Sequence, residues 1–196
     1  MNQSATEQSS KVSYPWYRVV SADEPLEQGD ILPNCPIFLI PSEAGRAERI
    51  EVTRATSRLI VMSQSCDLLP RGDGRPAIDE VVLCPVLTRA ELIDSDPAWK
   101  KENQWKQAKD GKLVRRHLLN SSSEANHALD LSVVLLDHIF SLGFDLVTAH
   151  AAELGSRLRL LPPYREHLSQ SFARFFMRVG LPLDVDLDAA LSRTAV

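Results

Sequence analysis

Two short apolar runs, joined by a turn, most constrain what this chain can fold into. Residues 59–62 read LIVM and residues 81–87 read VVLCPVL, so neither run shows the polar alternation of a half-exposed strand. Between them, "LLPRGDGRP" places two prolines and two glycines within nine residues, which is typical of a turn. The pattern predicts two central strands that are covered on both faces.

Other segments predict further short strands around this pair. "RIEVTRA" alternates apolar and polar residues, as a half-buried strand does, and "SRLRLL" alternates in the same way. "CPIFLIP" is bracketed by Pro36 and Pro41, which predicts that the strand ends at these prolines. "VRRHLLN" and residues 132–136 are two more candidates. Closely spaced strands with short turns favour a small β-barrel in a mainly β, α+β protein.

Helical patterns interrupt and close this series of strands. A helix-start signal at Asp94 and Pro97 predicts a helical insert over about 95–111. Residues 163–180 form the clearest amphipathic helix, and they predict a helical cover for the barrel or a surface that docks on a partner. We expect the three phenylalanines on its apolar face to be largely buried. The apolar positions of this helix are Tyr164, Leu168, Phe172, Phe175, Phe176 and Val179. Residues 1–13 are polar and predict a disordered tail, which leaves one domain over 14–196.

Composition sets limits on partners and cofactors. The formal net charge of −4 and a pI of about 5.7 give no overall positive field toward nucleic acid or a membrane surface, although a local basic groove remains open. The chain shows no apolar signal segment and no apolar run of about 18 residues, so we expect a cytoplasmic protein without a membrane contact. The three cysteines lack metal-ligand spacing, which predicts free and mostly buried thiols, no metal and no cofactor.

Polar side chains crowd the end of the first apolar run, at Ser63, Gln64, Ser65, Cys66 and Asp67. One interpretation is structural: Asp67 caps the turn and Cys66 is a small buried hydrophobe. The other is a site at the barrel mouth in which Cys66 is activated by a base. His117, in the "RRHLL" strand, is the base that we would name.

Several segments, in their order along the chain, resemble the MazF/PemK-like ribonuclease toxins. They are "QGDIL", "RLIVMSQS", "EVVLCPVLT", "HLLN" and "LDLSVVLLDHIFSL", and the resemblance covers roughly residues 28–147. It implies an SH3-like β-barrel, here with a helical insert and a C-terminal amphipathic helix. It also implies a bacterial toxin–antitoxin or defence system, metal-independent cleavage of single-stranded RNA, a cognate antitoxin or other protein partner, and a homodimer.

The resemblance assigns roles to two residues. In these toxins the ribose 2′-OH attacks the adjacent phosphorus, an arginine stabilises the phosphate charge, and a threonine hydroxyl assists; these map onto Arg58 and Thr88. A solvated strand-start charge at Arg58 and a strand-forming threonine at Thr88 are the alternatives. A catalytically inert SH3-like barrel that binds a protein partner is therefore the second hypothesis. The acidic pI, and Leu59 where the toxins have proline after the arginine, favour it.

Overall fold

The protein is an α+β fold built on an antiparallel, eight-stranded sheet. The computed structural model describes residues 14–41, 51–72 and 75–177; the tail over 1–13 and the helix end over 178–180 lie outside these ranges. The strands are β1 (Tyr17–Ser21), β2 (Asp30–Leu39), β3 (Thr53–Val61), β4 (Glu80–Thr88), β5 (Arg116–Leu119), β6 (Ser132–Leu135), β7 (Phe140–Gly143) and β8 (Ser156–Leu160).

The strand order along the sheet is β1-β8-β2-β3-β4-β6-β5, and β7 pairs with the first part of β4. All the pairings are antiparallel. The sheet is not closed, because β1 and β5 remain as its two edges. β1 and β8 lie outside the predicted core over 28–147, yet they belong to the same sheet as the strands inside it.

The predicted central strand at residues 59–62 is confirmed as the end of β3. Leu59 and Val61 point into a core that helix α4 (Phe144–Glu153) covers, whereas Ile60 points into a second core that helix α5 (Tyr164–Phe176) covers. We call these the α4-side core and the α5-side core. "RIEVTRA" and "RLIVMS" were expected to be two strands, but β3 runs without a break from Thr53 to Val61. Both faces of its apolar end are therefore buried, as the continuous run requires.

Prolines lie inside strands at places where the missing N–H costs little. Pro36 was expected to mark a strand end, which is wrong: β2 continues through it to Leu39, because this half of β2 pairs only with β3 and leaves its other edge open. Pro85 lies where β4 changes neighbour, after its pairing with β7 ends at Leu83 and before its pairing with β6 starts at Val86. Neither position interrupts a ladder that needs a donor.

Five α-helices and one 3₁₀ helix complete the described chain. They are α1 (Ser65–Leu68), α2 (Arg89–Ser95), a 3₁₀ helix (Pro97–Lys100), α3 (Glu102–Lys109), α4 (Phe144–Glu153) and α5 (Tyr164–Phe176). The helical insert is confirmed, and it starts earlier than expected, at Arg89. Trp99 packs edge-on against Trp105 and, with Leu92 and Val133, forms a small separate core beside β5 and β6.

The C-terminal helix covers the sheet with only part of its apolar face. Leu168 is fully buried in the α5-side core, and Phe172 and Phe175 are partly buried against it. Phe176 was expected to be largely buried, which is wrong: it is 54% exposed at the last turn of α5. The last turn of α5 extends past the edge of the core, so the apolar side chain of Phe176 has no core surface to cover.

We expect Phe176→Ala to change the free energy of unfolding by less than about 0.5 kcal/mol, the usual range for exposed positions. Phe172→Ala is the matched comparison on the same helix, and it should cost about 1–3 kcal/mol because its ring contacts the core. Chemical denaturation measures both values. Equal losses for the two variants would show that the end of α5 is packed after all.

A buried ion network fixes the position of β8 in the sheet. Asp30 is fully buried. One of its carboxylate oxygens accepts a hydrogen bond from Arg157 Nε at 2.8 Å, and the other accepts one from Arg159 Nε at 2.5 Å. Both guanidinium groups also donate to the carbonyl of Pro25 in the β1–β2 connection. The arginines of "SRLRL" therefore point inward, on the face opposite Leu158 and Leu160. Because Arg157 Nη1 also donates to the Ser21 carbonyl of β1, the network joins three strands.

Gly29 is required beside this network. Its φ of +87° is a left-handed conformation that residues with a Cβ rarely adopt, and an added Cβ would lie 3.0 Å from Cβ of Leu160. The Gly-Asp pair of "QGDIL" thus has a structural explanation in this chain, which is close packing for the glycine and ion pairing for Asp30.

Candidate functional site

Arg58 and Thr88, which lie thirty residues apart in the sequence, meet at one carboxylate oxygen. Nη1 of Arg58, on β3, lies 3.1 Å from Oε2 of Glu91, and Oγ1 of Thr88 donates to the same oxygen at 2.8 Å. Arg58 Nη1 also lies 3.4 Å from the carbonyl of Val86 on β4. The side chains of Arg58 and Glu91 are 29% and 48% exposed, so solvent and ligands can reach this Arg58–Glu91–Thr88 cluster.

The same contacts begin helix α2. Thr88 is its N-cap, and a capping box joins Thr88 and Glu91 in both directions. Burial pushes the pKa of Glu91 upward, but hydrogen bonds from Thr88 and the charge of Arg58 outweigh burial, so the pKa lies below its ordinary value. Glu91 is therefore a carboxylate at neutral pH. Sequence reasoning missed Glu91, although Thr-x-x-Glu before an apolar helix is a recognisable capping signal.

The polar strand end turns into the one-turn helix α1. Ser63 Oγ accepts from the Val82 N–H at 2.9 Å, and Ser65 Oγ accepts from the Gln28 N–H at 3.2 Å. Gln64 is the exposed residue that precedes α1. The backbone carbonyl of Asp67, rather than its carboxylate, accepts from the Ala77 N–H. Ser63 and Ser65 therefore have structural roles, because their hydroxyl groups join the end of β3 to neighbouring segments.

Gln28 connects this strand end to α5. It is 4% exposed, its amide nitrogen donates to the carbonyl of Met62 at 2.8 Å, and its amide oxygen accepts from Ser169 Oγ at 2.9 Å. Sequence reasoning missed both Gln28 and Ser169, because no local spacing links three distant segments. The result is a continuous hydrogen-bonded path from α1 to α5.

The three thiols differ in access. Cys66 is exposed on α1, with its sulfur 3.8 Å from the Asp67 carboxylate, so the interpretation of Cys66 as a buried hydrophobe is wrong. Cys35 and Cys84 are buried, and burial raises the pKa of Cys35 to about 11. Burial, with a smaller contribution from Asp137, raises the pKa of Cys84 to about 12. Only the exposed thiol is open to reagents in the folded protein.

We expect one thiol of the native protein to react rapidly with a disulfide reagent, and all three to react after denaturation. The Cys66→Ser variant should lose the rapid phase, since the buried thiols are both inaccessible and difficult to ionise. Absorbance of the released thiolate counts the groups. A rapid phase that survives in Cys66→Ser would place an accessible thiol at Cys35 or Cys84.

His117 lies on the other side of α5 from the strand end. Its Nδ1 is 2.9 Å from Ser171 Oγ, and that hydroxyl donates to the carbonyl of His167. Ser169, the residue that faces Gln28, is two positions away, so it projects from the opposite flank of the helix. Burial, and to a smaller degree the nearby His167, lower the pKa of His117 to about 4. His117 is therefore neutral at pH 7, and α5 separates it from Cys66.

The predicted residues thus occupy three places rather than one cleft. Ser63 follows Arg58 by five residues along an extended strand, which is roughly 17 Å. The guanidinium of Arg58 lies beside the Val86 carbonyl, and the strand pairing then runs from Val86 through Val134 to His117. The two valines in the middle are buried and separate Arg58 from His117.

Neither a cluster of metal ligands nor a membrane-spanning helix is present within the described ranges. There, no group of three or more His, Cys, Asp or Glu side chains is placed to hold a metal ion. No described helix combines the length and apolarity needed to cross a bilayer. Comparisons of the chain with protein-family models, with curated proteins and with solved structures gave no match.

Proposed function

We propose that this protein is a MazF/PemK-like, RNA-acting protein of a bacterial toxin–antitoxin or defence system, and that it cleaves single-stranded RNA in the cytoplasm without a metal ion. The observation that carries the proposal is the convergence of Arg58 and Thr88 on Oε2 of Glu91, at an accessible position. A cation and a hydroxyl that both contact one carboxylate are the groups that such a cleavage uses.

The chemistry assigns one role to each group. Glu91 takes the proton of the ribose 2′-OH as the 2′-oxygen forms its bond to phosphorus, and the bond from phosphorus to the 5′-oxygen breaks. Arg58 stabilises the negative charge that builds up on the phosphate oxygens, and Thr88 donates a hydrogen bond to one of them. The leaving 5′-oxygen takes a proton from solvent. The products are a 2′,3′-cyclic phosphate and a 5′-hydroxyl.

The SH3-like barrel belongs to this proposal. The barrel is supported by a contact between the two edge strands, β1 and β5. Tyr17 Oη on β1 donates a hydrogen bond at 2.7 Å to the carbonyl of Asn120, which directly follows β5. Burial raises the pKa of this tyrosine well above its ordinary value, so the hydroxyl keeps its proton. α5 lies over the α5-side core, to which Tyr17 and Leu119 both contribute. This contact between the two edges supports a sheet that curves toward a barrel.

Incubation of the purified protein with a labelled single-stranded RNA, in the presence of a chelator, tests the activity. We expect cleavage, and we expect the DNA strand of the same sequence to resist because it lacks the 2′-OH. A product with a 5′-hydroxyl identifies the mechanism. Intact RNA under all divalent-free conditions would end the ribonuclease proposal.

That negative result would favour the catalytically inert module that binds a protein partner. The outer part of the β2–β3 hairpin is where we would place the contact. Its exposed apolar side chains are Phe38, Leu39, Ile40 and Val52, with exposed fractions from 44% to 66%. Such a group of exposed apolar side chains is typical of a protein contact surface.

A further inference from the structure

A cavity of about 590 Å³ lies between α5, β5, the end of α3 and the segment that precedes β1. None of Arg58, Thr88 and Glu91 lines it, so it is distinct from the Arg58–Glu91–Thr88 cluster. Its volume falls within the range of sites for small organic ligands. Its lining combines apolar and aromatic side chains with a few polar groups, which is the usual composition of such sites.

The cavity is electropositive. Lys109 and Arg174 line it, and neither forms an ion pair with another described residue. Arg116 also lines it, but Asp137 neutralises the charge of that guanidinium. Among the described residues that line the cavity there is no carboxylate. Two uncompensated cations facing one cavity favour an anionic ligand.

One end of the cavity is aromatic. The rings of Trp16 and Tyr164 stack with a centroid distance of 3.7 Å and an angle of 10° between their planes, and both residues line the cavity. Neutral His117 and Asn120 are also lining residues of the cavity. An aromatic wall suits a planar base, and an amide can donate to and accept from the edge of a base.

The two ends are spaced along α5. Tyr164 opens the helix and Arg174 lies ten residues later, a rise of about 15 Å. Lys109, at the end of α3, lines the same cavity as Arg174. An elongated ligand with a planar ring at one end and an anion at the other therefore matches both the length and the charge distribution.

We propose that this cavity binds a nucleoside 5′-monophosphate unit, with the base against Trp16 and Tyr164 and the phosphate at Lys109 and Arg174. The unit can be a free nucleotide or the 5′-terminal nucleotide of an RNA, because the recognised chemistry is the same. The inference does not depend on the cleavage activity, since it uses none of Arg58, Thr88 and Glu91.

Titration of the full-length protein with AMP, UMP, GMP and CMP tests the site through quenching of Trp16 fluorescence. We expect saturable quenching by at least one nucleotide, weaker binding of adenosine and of ribose 5-phosphate, and a loss of affinity as salt rises. Trp16→Phe should remove most of the quenching, because the other two tryptophans, Trp99 and Trp105, lie in the core of the insert.

Charge variants locate the phosphate, with binding measured by calorimetry. Lys109→Ala and Arg174→Ala should each weaken binding roughly tenfold or more, as expected for a lost charge-assisted contact. Lys106→Ala is the matched control: it lies on the same helix, pairs with Glu102 and does not line the cavity, so affinity should be unchanged. Circular dichroism verifies that each variant is folded.

RNA oligonucleotides with and without a 5′-phosphate identify the source of the ligand, in the Glu91→Gln background to prevent cleavage. Preference for the 5′-phosphorylated oligonucleotide assigns the site to RNA ends, and exclusion of both oligonucleotides assigns it to free nucleotides. The absence of saturable binding by all four nucleotides would overturn the inference, as would binding that neither Lys109→Ala nor Arg174→Ala weakens. Either failure would leave the cleavage test unaffected.

Discussion

Asp30→Asn is expected to lower the free energy of unfolding by about 3–5 kcal/mol, the cost of leaving buried charges without their partner. Two guanidinium groups, 1% and 2% exposed, would lose the carboxylate on which they converge. For a chain of this length the midpoint of thermal unfolding should fall by roughly 6–20 °C. Differential scanning calorimetry measures both changes.

The matched control for this prediction is Asp94→Asn, which makes the same chemical change at an exposed position of α2. Its effect should stay within about 0.5 kcal/mol. A second comparison replaces the whole ion network with apolar residues, as in Asp30→Leu with Arg157→Met and Arg159→Met. That triple variant should be more stable than Asp30→Asn, since no unpaired charge remains. If Asp30→Asn left the free energy of unfolding unchanged, the two arginines would have found other hydrogen-bond acceptors without loss of stability.

Glu91→Gln is expected to reduce RNA cleavage about a hundredfold or more, which corresponds to roughly 3 kcal/mol of transition-state stabilisation. Glutamine keeps the capping box of α2, because it is also accepted at that position, but it cannot take the proton of the 2′-OH. Arg58→Ala should cause a loss of the same order by removing the cation beside the phosphate. Initial rates on one labelled RNA, at saturating protein, measure these losses.

Two further variants separate catalysis from structure at this site. Thr88→Ser retains both the hydroxyl and the helix cap, so it should keep most of the activity, whereas Thr88→Ala should lose activity and about 1 kcal/mol of stability. Arg54→Ala removes an exposed arginine from β3, the strand that carries Arg58, and should leave the cleavage rate unchanged. Full activity in Glu91→Gln would exclude Glu91 as the base and would restrict the ion pair to a structural role.

The parts of the fold that local pattern determines were predictable. The unbroken apolar run at residues 59–62 predicted a strand covered on both faces, and β3 has this property. The inward direction of Arg157 and Arg159 was not predictable, because the alternation of "SRLRL" fits a half-buried strand with its arginines in solvent equally well. Only Asp30, distant in the sequence, decides which face is buried.

The candidate site was predictable only in part, for a similar reason. The family resemblance pointed to Arg58 and Thr88, and the structure brings these two residues together through Glu91. The proposed pairing of Cys66 with His117 had no spacing to support it, and α5 lies between them. The nucleotide cavity depends on side chains from four distant segments, so no local motif could reveal it.

The place of β8 between β1 and β2 has a consequence for the order in which the chain can fold. β1 and β2 are synthesised before the other described strands, but they cannot pair with each other, because β8, which lies between them, is the last of the described strands. Asp30 is synthesised 127 residues before Arg157, the first of its two buried arginine partners along the chain. Completion of the sheet therefore depends on contacts between distant parts of the sequence, which slow folding and expose strand edges in the meantime. The nascent protein has the greatest need of chaperone protection until residue 160 has emerged.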